Sequence, residues 1–589
     1  MNCNVRVIVT ALICFISFSA CKKETIDNPQ ILKMSFKSID NRDLLAKDIP
    51  VDIEGSTLSF SVPEGLDVSQ LIASFEISGA KLMVGGVEQE SRVTINDYSK
   101  SLTFEVLGYN GGQTQYTIEV IRLENDEQLR VASLILPKEA NPHLLNTVNF
   151  EVKENRIFAV LPKLSNTKVE AILETSAPEV FLNAEKVVDG KLTLDLSQTN
   201  VLMLISAEGF KKYYTVIVSS INDIPHFYID TEGRAPVVDK SKWLRSTIIL
   251  DGQEVTENLQ LEGRVRGRGN STWLLPKKPY RFRLDEEASI LGLGEATDWV
   301  LLANYQDYTS LLSATAFKVG ELLEAPYTNT MIPVELTLNG RYQGIYLLTE
   351  QIQVGEHRVN IGNDGVLFEL DSYFDEDYKF RSKYYNLPVN IKSPDLKSDA
   401  ELIPIRSEFE KMEELVFAST FPENGYRDLL DISEFANWFI INHLTYNREI
   451  NHPKSTYVHK AKDGKYVFGP IWDFDWGFGF DGNRYYFKTP EADILRNNPI
   501  ETGSPFFRRL LQDPETKKIL KEKWQAFRLN KLQQLYAYIE NYGSWSKDAV
   551  YRNDIIWNRM PGSLDNDKAR LKAWLQIRAN YLDRYFASL

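Results

Sequence analysis

The stretch Gly469-Pro-Ile-Trp-Asp-Phe-Asp-Trp-Gly-Phe-Gly479 places two carboxylates two residues apart among aromatic side chains and glycines. In an extended strand, successive side chains point to opposite faces, so Asp473 and Asp475 would share one face and the aromatic residues the other. Carboxylates on one face suit Mg2+, which typically binds one or two carboxylates together with phosphate oxygens. The alternative interpretation is a buried aromatic strand that ends in an aspartate-rich turn.

The composition is typical of a globular protein with several domains. The chain has 589 residues, 43% hydrophobic and 25% charged. This length corresponds to about three to four domains. The net charge of −14 argues against a nucleic-acid partner, because phosphate backbones require a basic surface. A small phosphorylated ligand in a local basic pocket is compatible with this charge.

The N-terminus has the pattern of a lipoprotein signal peptide. Arg6 precedes an apolar run, residues 7–18, that is too short to span a bilayer. The small residues before Cys21 resemble a lipobox, which predicts cleavage before Cys21 and its lipidation; the alternative is a simple signal peptide cut after Ala20. Two or more acyl chains hold a protein stably on a membrane. We therefore predict a lipoprotein of the cell envelope, in the outer membrane and facing the periplasm or the exterior, with no spanning helix.

Short alternating runs broken by Gly, Asn and Asp predict two β-sandwich modules of immunoglobulin-like type. The second module repeats the pattern of the first, and each closes on a similar strand, Tyr116–Val120 and Tyr214–Val218. Neither has clustered His, Cys or carboxylates, so we expect spacing or binding roles for both. The predicted boundaries are 1–21 for the signal peptide, 22–30 for a tether, 31–124 and 125–222 for the modules, and 223–589 for a third domain.

From residue 223 onward strands alternate with long helical stretches, which predicts an α+β domain. The run Lys277–Leu284 alternates, and its apolar residues are in phase with Lys278. We therefore predict that Lys278 points inward and Lys277 toward solvent. A buried lysine needs an anionic partner, because an unpaired buried charge is costly.

Turn and capping signals predict several elements of this third domain. Asn339-Gly340 between two alternating runs predicts a hairpin with a type I′ turn. Asp431 followed by Glu434 predicts the start of a helix. Beyond Pro514 the apolar periodicity predicts mostly helices.

Three polar groups follow one another in the order in which a protein kinase presents its working parts. They are Lys278, the polar loop Asn447–Lys454 and the aspartate pair. Phosphoryl transfer requires a cation for the phosphates, carboxylates for Mg2+ and an oriented acceptor. The sequence lacks H-R-D and P-loop motifs, so an ordinary kinase or a P-loop enzyme is not indicated.

Several segments of the third domain match one known family. They are Arg266–Trp273 with Pro276–Leu284, Asp298–Asn304, Asn339–Glu350 and Pro470–Gly479. Through these segments, residues 224–589 resemble the CotH kinase family, the spore-coat protein H type of atypical, secretory kinase-like protein. The front half is similar to the immunoglobulin-like modules that precede such domains in lipoproteins of Bacteroidota.

The resemblance implies ATP-dependent phosphorylation of Ser or Thr in a protein outside the cytoplasm, with Mg2+ or Mn2+. It implies that Asp473 is catalytic and holds the metal together with Asp475, and that Lys278 contacts the nucleotide phosphates. Arg268 and Lys454 are further candidates for phosphate contact. We expect a monomer, anchored to the membrane through Cys21.

The loop before the metal motif departs from the family pattern. Where many relatives have an aspartate, this chain has Asn447-Arg448-Glu449, so Glu449 becomes the candidate base and Asn451 a candidate metal ligand. Glutamate is one methylene longer, and small displacements matter in catalysis. The alternative is therefore an inactive kinase-like binding or adhesion lipoprotein at the surface, including one associated with glycans. A third interpretation is a hydrolase that uses paired carboxylates.

Overall fold

The computed structural model describes residues 28–63, 66–123, 127–144, 147–162, 167–197, 200–221, 224–253, 255–482, 485–498, 500–558 and 563–589. The predicted signal peptide with Cys21 and most of the tether lie outside these residues. The chain divides into two compact units, Met1–Ser133, Leu173–Leu192 and Asn200–Thr215 for the first and Leu134–Ile172, Thr193–Thr199 and Val216–Leu589 for the second. Residues 125–222 contribute to both units, and the predicted domain boundaries stay predictions.

The N-terminal part of the first unit is made of strands. They are β1 Ile31–Phe36, β2 Ile49–Pro50, β3 Asp52–Glu54, β4 Thr57–Pro63, β5 Leu71–Ile77, β6 Lys81–Val84, β7 Val87–Glu88, β8 Ile95–Asn96, β9 Leu102–Leu107 and β10 Gln113–Leu123. One sheet has the order β2-β1-β5-β8 and another the order β3-β4-β10-β9-β6-β7. Phe36 of the first sheet packs on Phe60 of the second, with ring centroids 4.6 Å apart.

The following strands are β11 Val131–Leu136, β12 Val148–Asn149, β13 Glu151–Lys153, β14 Arg156–Pro162, β15 Lys168–Thr175, β16 Glu179–Leu182, β17 Glu185–Lys186, β18 Lys191–Asp195, β19 Asn200–Ile205 and β20 Lys211–Ile221. In the first unit, β16 pairs with β17 and β19. In the second unit, β11 pairs with β12, and β13 with β14. The region before residue 223 is therefore mostly β, as predicted.

Seven strands of the second unit close into a ring. They are β21 His226–Thr231, β22 Leu244–Asp251, β23 Leu259–Gly267, β24 Tyr280–Ala288, β25 Ala296–Leu302, β26 Ile332–Leu338 and β27 Arg341–Glu350. Their order is β27-β25-β24-β23-β22-β21-β26, and β26 also pairs with β27. Buried side chains such as Phe282, Trp299 and Leu336 belong to one apolar cluster, so alternating residues of the ring strands form a packed core.

The rest of the second unit combines a small sheet with helices. The strands are β28 Val366–Leu370, β29 Lys379–Arg381, β30 Pro388–Ser393, β31 Thr456–Lys460 and β32 Val467–Phe468, in the order β29-β30-β28-β31-β32. The helices are α1 Leu312–Leu322, α2 Asp399–Phe417, α3 Tyr426–Leu429, α4 Ile432–Leu444, α5 Gly503–Leu510, α6 Pro514–Asn530, α7 Leu532–Trp557 and α8 Leu564–Ser588. The C-terminal region is thus α+β, and its last helices follow the predicted periodicity. None of the helices in the described ranges combines the length and apolarity that crossing a bilayer requires.

Local sequence signals explain two elements that support the site. Asn339 and Gly340 both have positive φ, 52° and 77°, and join β26 to β27, which confirms the predicted type I′ hairpin. The Asp431 side chain accepts hydrogen bonds from the backbone N–H groups of Ser433 and Glu434, each at 3.0 Å, and so caps α4. Helix α4 is buried along its length and leads directly into the polar loop of the site.

Candidate functional site

A cavity of about 520 Å3 lies in the second unit, between the ring and the small sheet. The ring contributes the turn after β23, and the small sheet contributes the end of β28. The polar loop before β31, the acidic stretch after β32 and residues 302–306 at the end of β25 also line it. The cavity therefore brings together segments that are far apart in the sequence.

The acidic stretch reaches this cavity through turns and not as the extended strand considered from the sequence. No strand is assigned between Gly469 and Phe480. Asp473 has φ of 59°, in the left-handed region, which a continuous strand does not allow. Asp473 and Asp475 both line the cavity, so the predicted convergence of the two carboxylates is found without the predicted alternation.

Aromatic rings form the support behind these carboxylates. Phe317 of α1 packs edge-on against Trp472 at 6.0 Å and against Phe474 at 5.8 Å between ring centroids. Trp476 lies elsewhere, 43% exposed and edge-on to Phe480. Trp472 and Phe474, but not Trp476, therefore pack against the same side chain, Phe317.

Four carboxylates share the acidic end of the cavity, and each has a raised pKa. Burial and the charges of Asp473 and Asp475 raise the pKa of Glu449 to about 8. Burial and the charge of Asp473 raise the pKa of Asp475 to about 8 as well. Enclosure by the protein also raises the pKa of Asp473 and of Asp371. These carboxyl groups have too little positive charge nearby to stay ionised at neutral pH, and a bound divalent cation would supply that charge.

Glu449 owes its position to a short helical turn. The turn Arg448–Asn451 begins at Asn447, whose side-chain oxygen accepts the Glu449 N–H at 3.3 Å. The Asn447 amide nitrogen contacts the Asp473 backbone oxygen at 3.5 Å. Asn447 thus links the polar loop to the acidic stretch and places the Glu449 carboxylate, only 8% exposed, in the cavity wall.

Two of the predicted phosphate-contacting residues line the same cavity. The Arg268 guanidinium lies 5.5 Å from the Trp472 ring, and Asp473 and Asp475 act on its charge. Burial lowers the pKa of Arg268, and the two carboxylates oppose that change. The Lys454 ammonium lies 4.6 Å from the Tyr373 ring and lowers the pKa of Glu449. Cations and carboxylates therefore meet in one place.

The orientation predicted for the two lysines is wrong. Lys277 is 1% exposed and lines the cavity, whereas Lys278 is half-buried and does not line it. Lys277 Nζ donates to Asn553 Oδ1 at 2.8 Å and to the Ile345 carbonyl. Lys278 Nζ donates to the Trp273 carbonyl at 2.7 Å. Strand β24 begins only at Tyr280, so the alternation does not extend back to either lysine.

The structure also contradicts the metal role predicted for Asn451. Its side-chain nitrogen donates to the carbonyls of Arg448 and Ile494, at 2.8 and 2.9 Å. Its side-chain oxygen accepts from Arg496 N at 2.8 Å and from Ser504 Oγ. The residue is fully buried and does not line the cavity, so its amide holds the loop to α5.

Sequence reasoning missed the contribution of β28. Asp371, just past the strand, is 7% exposed and accepts backbone N–H groups of Tyr373 and Ser455 at 2.7 and 3.2 Å. Glu369 on the same strand pairs with Lys392 at 3.2 Å. Both acids line the cavity. The signal was available as Glu369-Leu-Asp371, two acids in alternation at the end of an apolar run.

The donor set fits a divalent cation, although no ready-made cage is present. Among the described residues, no group of three or more His, Cys, Asp or Glu side chains is already arranged around one point as metal ligands. Oxygen donors are nevertheless the ligands that Mg2+ prefers, and Mg2+ takes only one or two carboxylates when substrate phosphates supply the rest. Asp473 and Asp475 are the residues that would hold it.

Comparison with known proteins identifies the family. The model of the CotH kinase protein family matches residues 265–582, more than half of the chain. The chain therefore belongs to the CotH kinase family, as the sequence motifs predicted. Membership implies the use of ATP and a divalent metal in general. No curated protein matches the chain.

Two solved structures are similar over about two thirds of the chain. One is described as a putative glycoside hydrolase from Bacteroides thetaiotaomicron, with 10% identity, 64% of this chain and 87% of that chain covered, and a TM-score of 0.14. The other is the SGBP-B protein of a Bacteroides ovatus mixed-linkage glucan utilization locus, in complex with a mixed-linkage heptasaccharide. It has 11% identity, covers 65% of this chain and 95% of that chain, and has a TM-score of 0.15.

Proposed function

We propose that this protein transfers the γ-phosphate of ATP to a Ser or Thr hydroxyl of a protein outside the cytoplasm. The observation that carries the proposal is the cavity in which four raised-pKa carboxylates face Arg268 and Lys454. Phosphoryl transfer depends mainly on position and charge, and this cavity supplies both signs of charge within reach of one ligand. Lys278 lies outside the cavity and has no role in this proposal.

Each group of residues has a distinct role in the proposed site. Asp473 and Asp475 would hold Mg2+ or Mn2+, which when bound neutralises charge on the phosphate oxygens. Arg268 and Lys454 contact the phosphates and orient them. The Trp472 ring, which lies under Arg268, limits the positions that the guanidinium can take.

Glu449 is the proposed base for the acceptor hydroxyl. Its pKa of about 8 in the absence of a cation means that it is largely protonated at neutral pH. Added positive charge lowers the pKa of a nearby carboxyl, so a loaded site favours the carboxylate form that accepts a proton. The carboxylate would then hold the acceptor Oγ–H and orient it toward the phosphate.

We also propose that the protein works at the cell envelope as a lipoprotein. Cys21 would carry the lipid, and residues 22–30 would connect the anchor to the folded part. The paired sheets of β1–β10 support the proposal of an immunoglobulin-like module there, with a second at 125–222. Such modules would hold the cavity away from the membrane surface.

The first test compares Asp473→Asn with Asp463→Asn. Both aspartates have φ of 59°, a conformation that asparagine also adopts, so the two substitutions impose the same backbone change. Asp463 is exposed and outside the cavity. With γ-labelled ATP and Mg2+ or Mn2+, we expect label on protein for the parent and for Asp463→Asn, and a loss of at least about 100-fold for Asp473→Asn.

The same experiment separates catalysis from binding alone. Equal labelling in the parent and Asp473→Asn, or none in either, would remove the catalytic claim. If ATP with metal still raised the thermal midpoint of the parent in the absence of labelling, the inactive binding lipoprotein would be the better description. The presence of Glu449 where many relatives have aspartate is the feature that makes this second outcome worth measuring.

A further inference from the structure

A second cavity, of about 400 Å3, lies in the second unit and shares no lining residue with the site described above. We call it the Arg358 cavity. Tyr327, Arg358 and His459 contribute buried or half-buried walls, and Glu356 and His357 are exposed at its edge.

Arg358 is a buried cation with two unpartnered donor atoms. It is 4% exposed, its guanidinium lies 4.8 Å from the Trp299 ring, and its Nη1 donates to the His357 carbonyl at 2.8 Å. Within the described part of the chain its Nε and Nη2 atoms have no hydrogen-bond partner. Buried donors without an acceptor are costly, so an oxyanion that accepts from both atoms is the simplest way to account for them.

The two unpartnered atoms form the edge of the guanidinium that binds carboxylates elsewhere in this unit. Arg341 uses Nε and Nη2 to hold both oxygens of Glu151, at 2.9 and 3.1 Å. Arg427 uses the same edge to hold both oxygens of Asp513. This edge matches two oxygens of one oxyanion in geometry as well as charge.

The other groups around the cavity are a donor, a neutral ring and two carboxylates. The Tyr327 hydroxyl has no hydrogen-bond partner in the described residues, and burial and the charge of Glu350 raise its pKa, so it remains a donor at neutral pH. The Glu350 carboxylate already accepts the Thr330 N–H at 2.8 Å. Burial lowers the pKa of His459, whose Nδ1 lies 2.9 Å from the Gly469 carbonyl, so this ring stays neutral. Glu356 is exposed, and solvent and salt screen its charge.

We propose that the Arg358 cavity binds a small oxyanion, such as a phosphate, a phosphate monoester or a carboxylate group. Arg358 Nε and Nη2 donate to two of its oxygens, and the Tyr327 hydroxyl donates to it as well. The proposal is independent of the kinase proposal, because it uses none of the same residues.

The test measures thermal unfolding of the whole protein in sodium phosphate, sodium sulfate, sodium acetate or O-phosphoserine, each against chloride at matched ionic strength. We expect a saturable rise in the thermal midpoint with at least one of these anions, and the most effective one identifies the source of the oxyanion. Arg358→Met should weaken the response at least about tenfold, and Tyr327→Phe should weaken it less. In chloride alone, Arg358→Met should be at least as stable as the parent, because two buried donors without an acceptor have been removed.

One arginine variant serves as the control. Arg381 resembles Arg358 in its contacts: it lies 4.9 Å from the Phe374 ring and donates Nη1 to a backbone carbonyl, but it is exposed. Arg381→Met should keep the full anion response. The proposal fails if no anion shifts the midpoint beyond chloride, or if the response survives Arg358→Met.

Discussion

Asp513 shows how one buried side chain joins two helices, α3 and α6. Its oxygens accept the Glu515 N–H at 3.0 Å, which caps α6, and the Thr516 hydroxyl at 3.0 Å. They also accept the Tyr426 hydroxyl and both edge donors of Arg427. Burial alone would raise the pKa of Asp513, but these hydrogen bonds outweigh it and lower the pKa to about 2.

We predict a pH-dependent loss of stability through this residue. The folded-state pKa is below the unfolded value of 3.8, so the contribution is complete above about pH 4 and is lost as the pH falls toward 2. Asp513→Asn should lower the free energy of unfolding by about 2 kcal/mol at pH 7, and the difference from the parent should shrink between pH 4 and pH 2. Urea denaturation at several pH values measures this.

The matched variant is Asp428→Asn, an exposed aspartate on α3. It should change the free energy of unfolding by less than about 0.5 kcal/mol at any of these pH values. A gap between the parent and Asp513→Asn that stayed constant down to pH 2 would contradict the role assigned to Asp513.

Single residues were the hardest to predict. The inward lysine was inferred by extending the alternation of β24 backward, but Pro279 precedes the strand and cannot continue a hydrogen-bonded ladder. The roles of Lys277 and Asn451 depend on partners more than 40 residues away in the sequence, Asn553 and Ser504 among them. By contrast, Glu449, Lys454, Asp473 and Asp475 line one cavity, as the order of the polar loop and the aspartate pair implied. Arg268 was not part of that order and was only a further candidate for phosphate contact.

The hairpin of β26 and β27 is the element that closes the ring. Gly340 has φ of 77°, and a Cβ there would lie 2.5 Å from the Thr147 carbonyl oxygen. Gly292 has the same φ, yet a Cβ there would meet nothing within 4 Å. Substitutions at these two glycines therefore separate the energetic cost of a left-handed backbone conformation from the cost of a steric clash.

We predict that Gly292→Ala lowers the free energy of unfolding by about 1 kcal/mol, the cost of a left-handed alanine. Gly340→Ala should cost about 1 to 3 kcal/mol more, because the backbone at Thr147 must also move. Denaturant titration of both variants measures the difference. Equal losses would show that the contact with Thr147 is unimportant.

Helices and turns were predicted correctly where the sequence signal lies within a few neighbouring residues. The hairpin turn, the cap of α4 and the terminal helices each depend on a few neighbouring residues. The acidic stretch was considered as an extended strand because of its alternation, but its glycines and the positive φ of Asp473 turn the chain instead. Closure of the ring could not be predicted, because it pairs β21 with β26, about a hundred residues apart.

At the scale of the whole molecule, the proposed lipid anchor at Cys21 makes a testable prediction. We predict that Cys21→Ala moves the protein from the detergent phase to the aqueous phase in a detergent partition of cells that process lipoproteins. Cys14→Ala, which changes the same residue type inside the apolar run, should leave the protein in the detergent phase. Partition of Cys21→Ala with the detergent would rule out lipidation at that residue.

The ring of seven strands limits edge-to-edge strand pairing between copies of the protein that lie close together. A sheet that ends in unpaired backbone groups can recruit a neighbouring chain, and proteins concentrated on a surface meet such neighbours often. Each ring strand already has partners on both sides, and the small sheet ends in strands of three and two residues, β29 and β32. The ring and the small sheet therefore offer little template for pairing with a neighbouring chain, even where many copies lie close together.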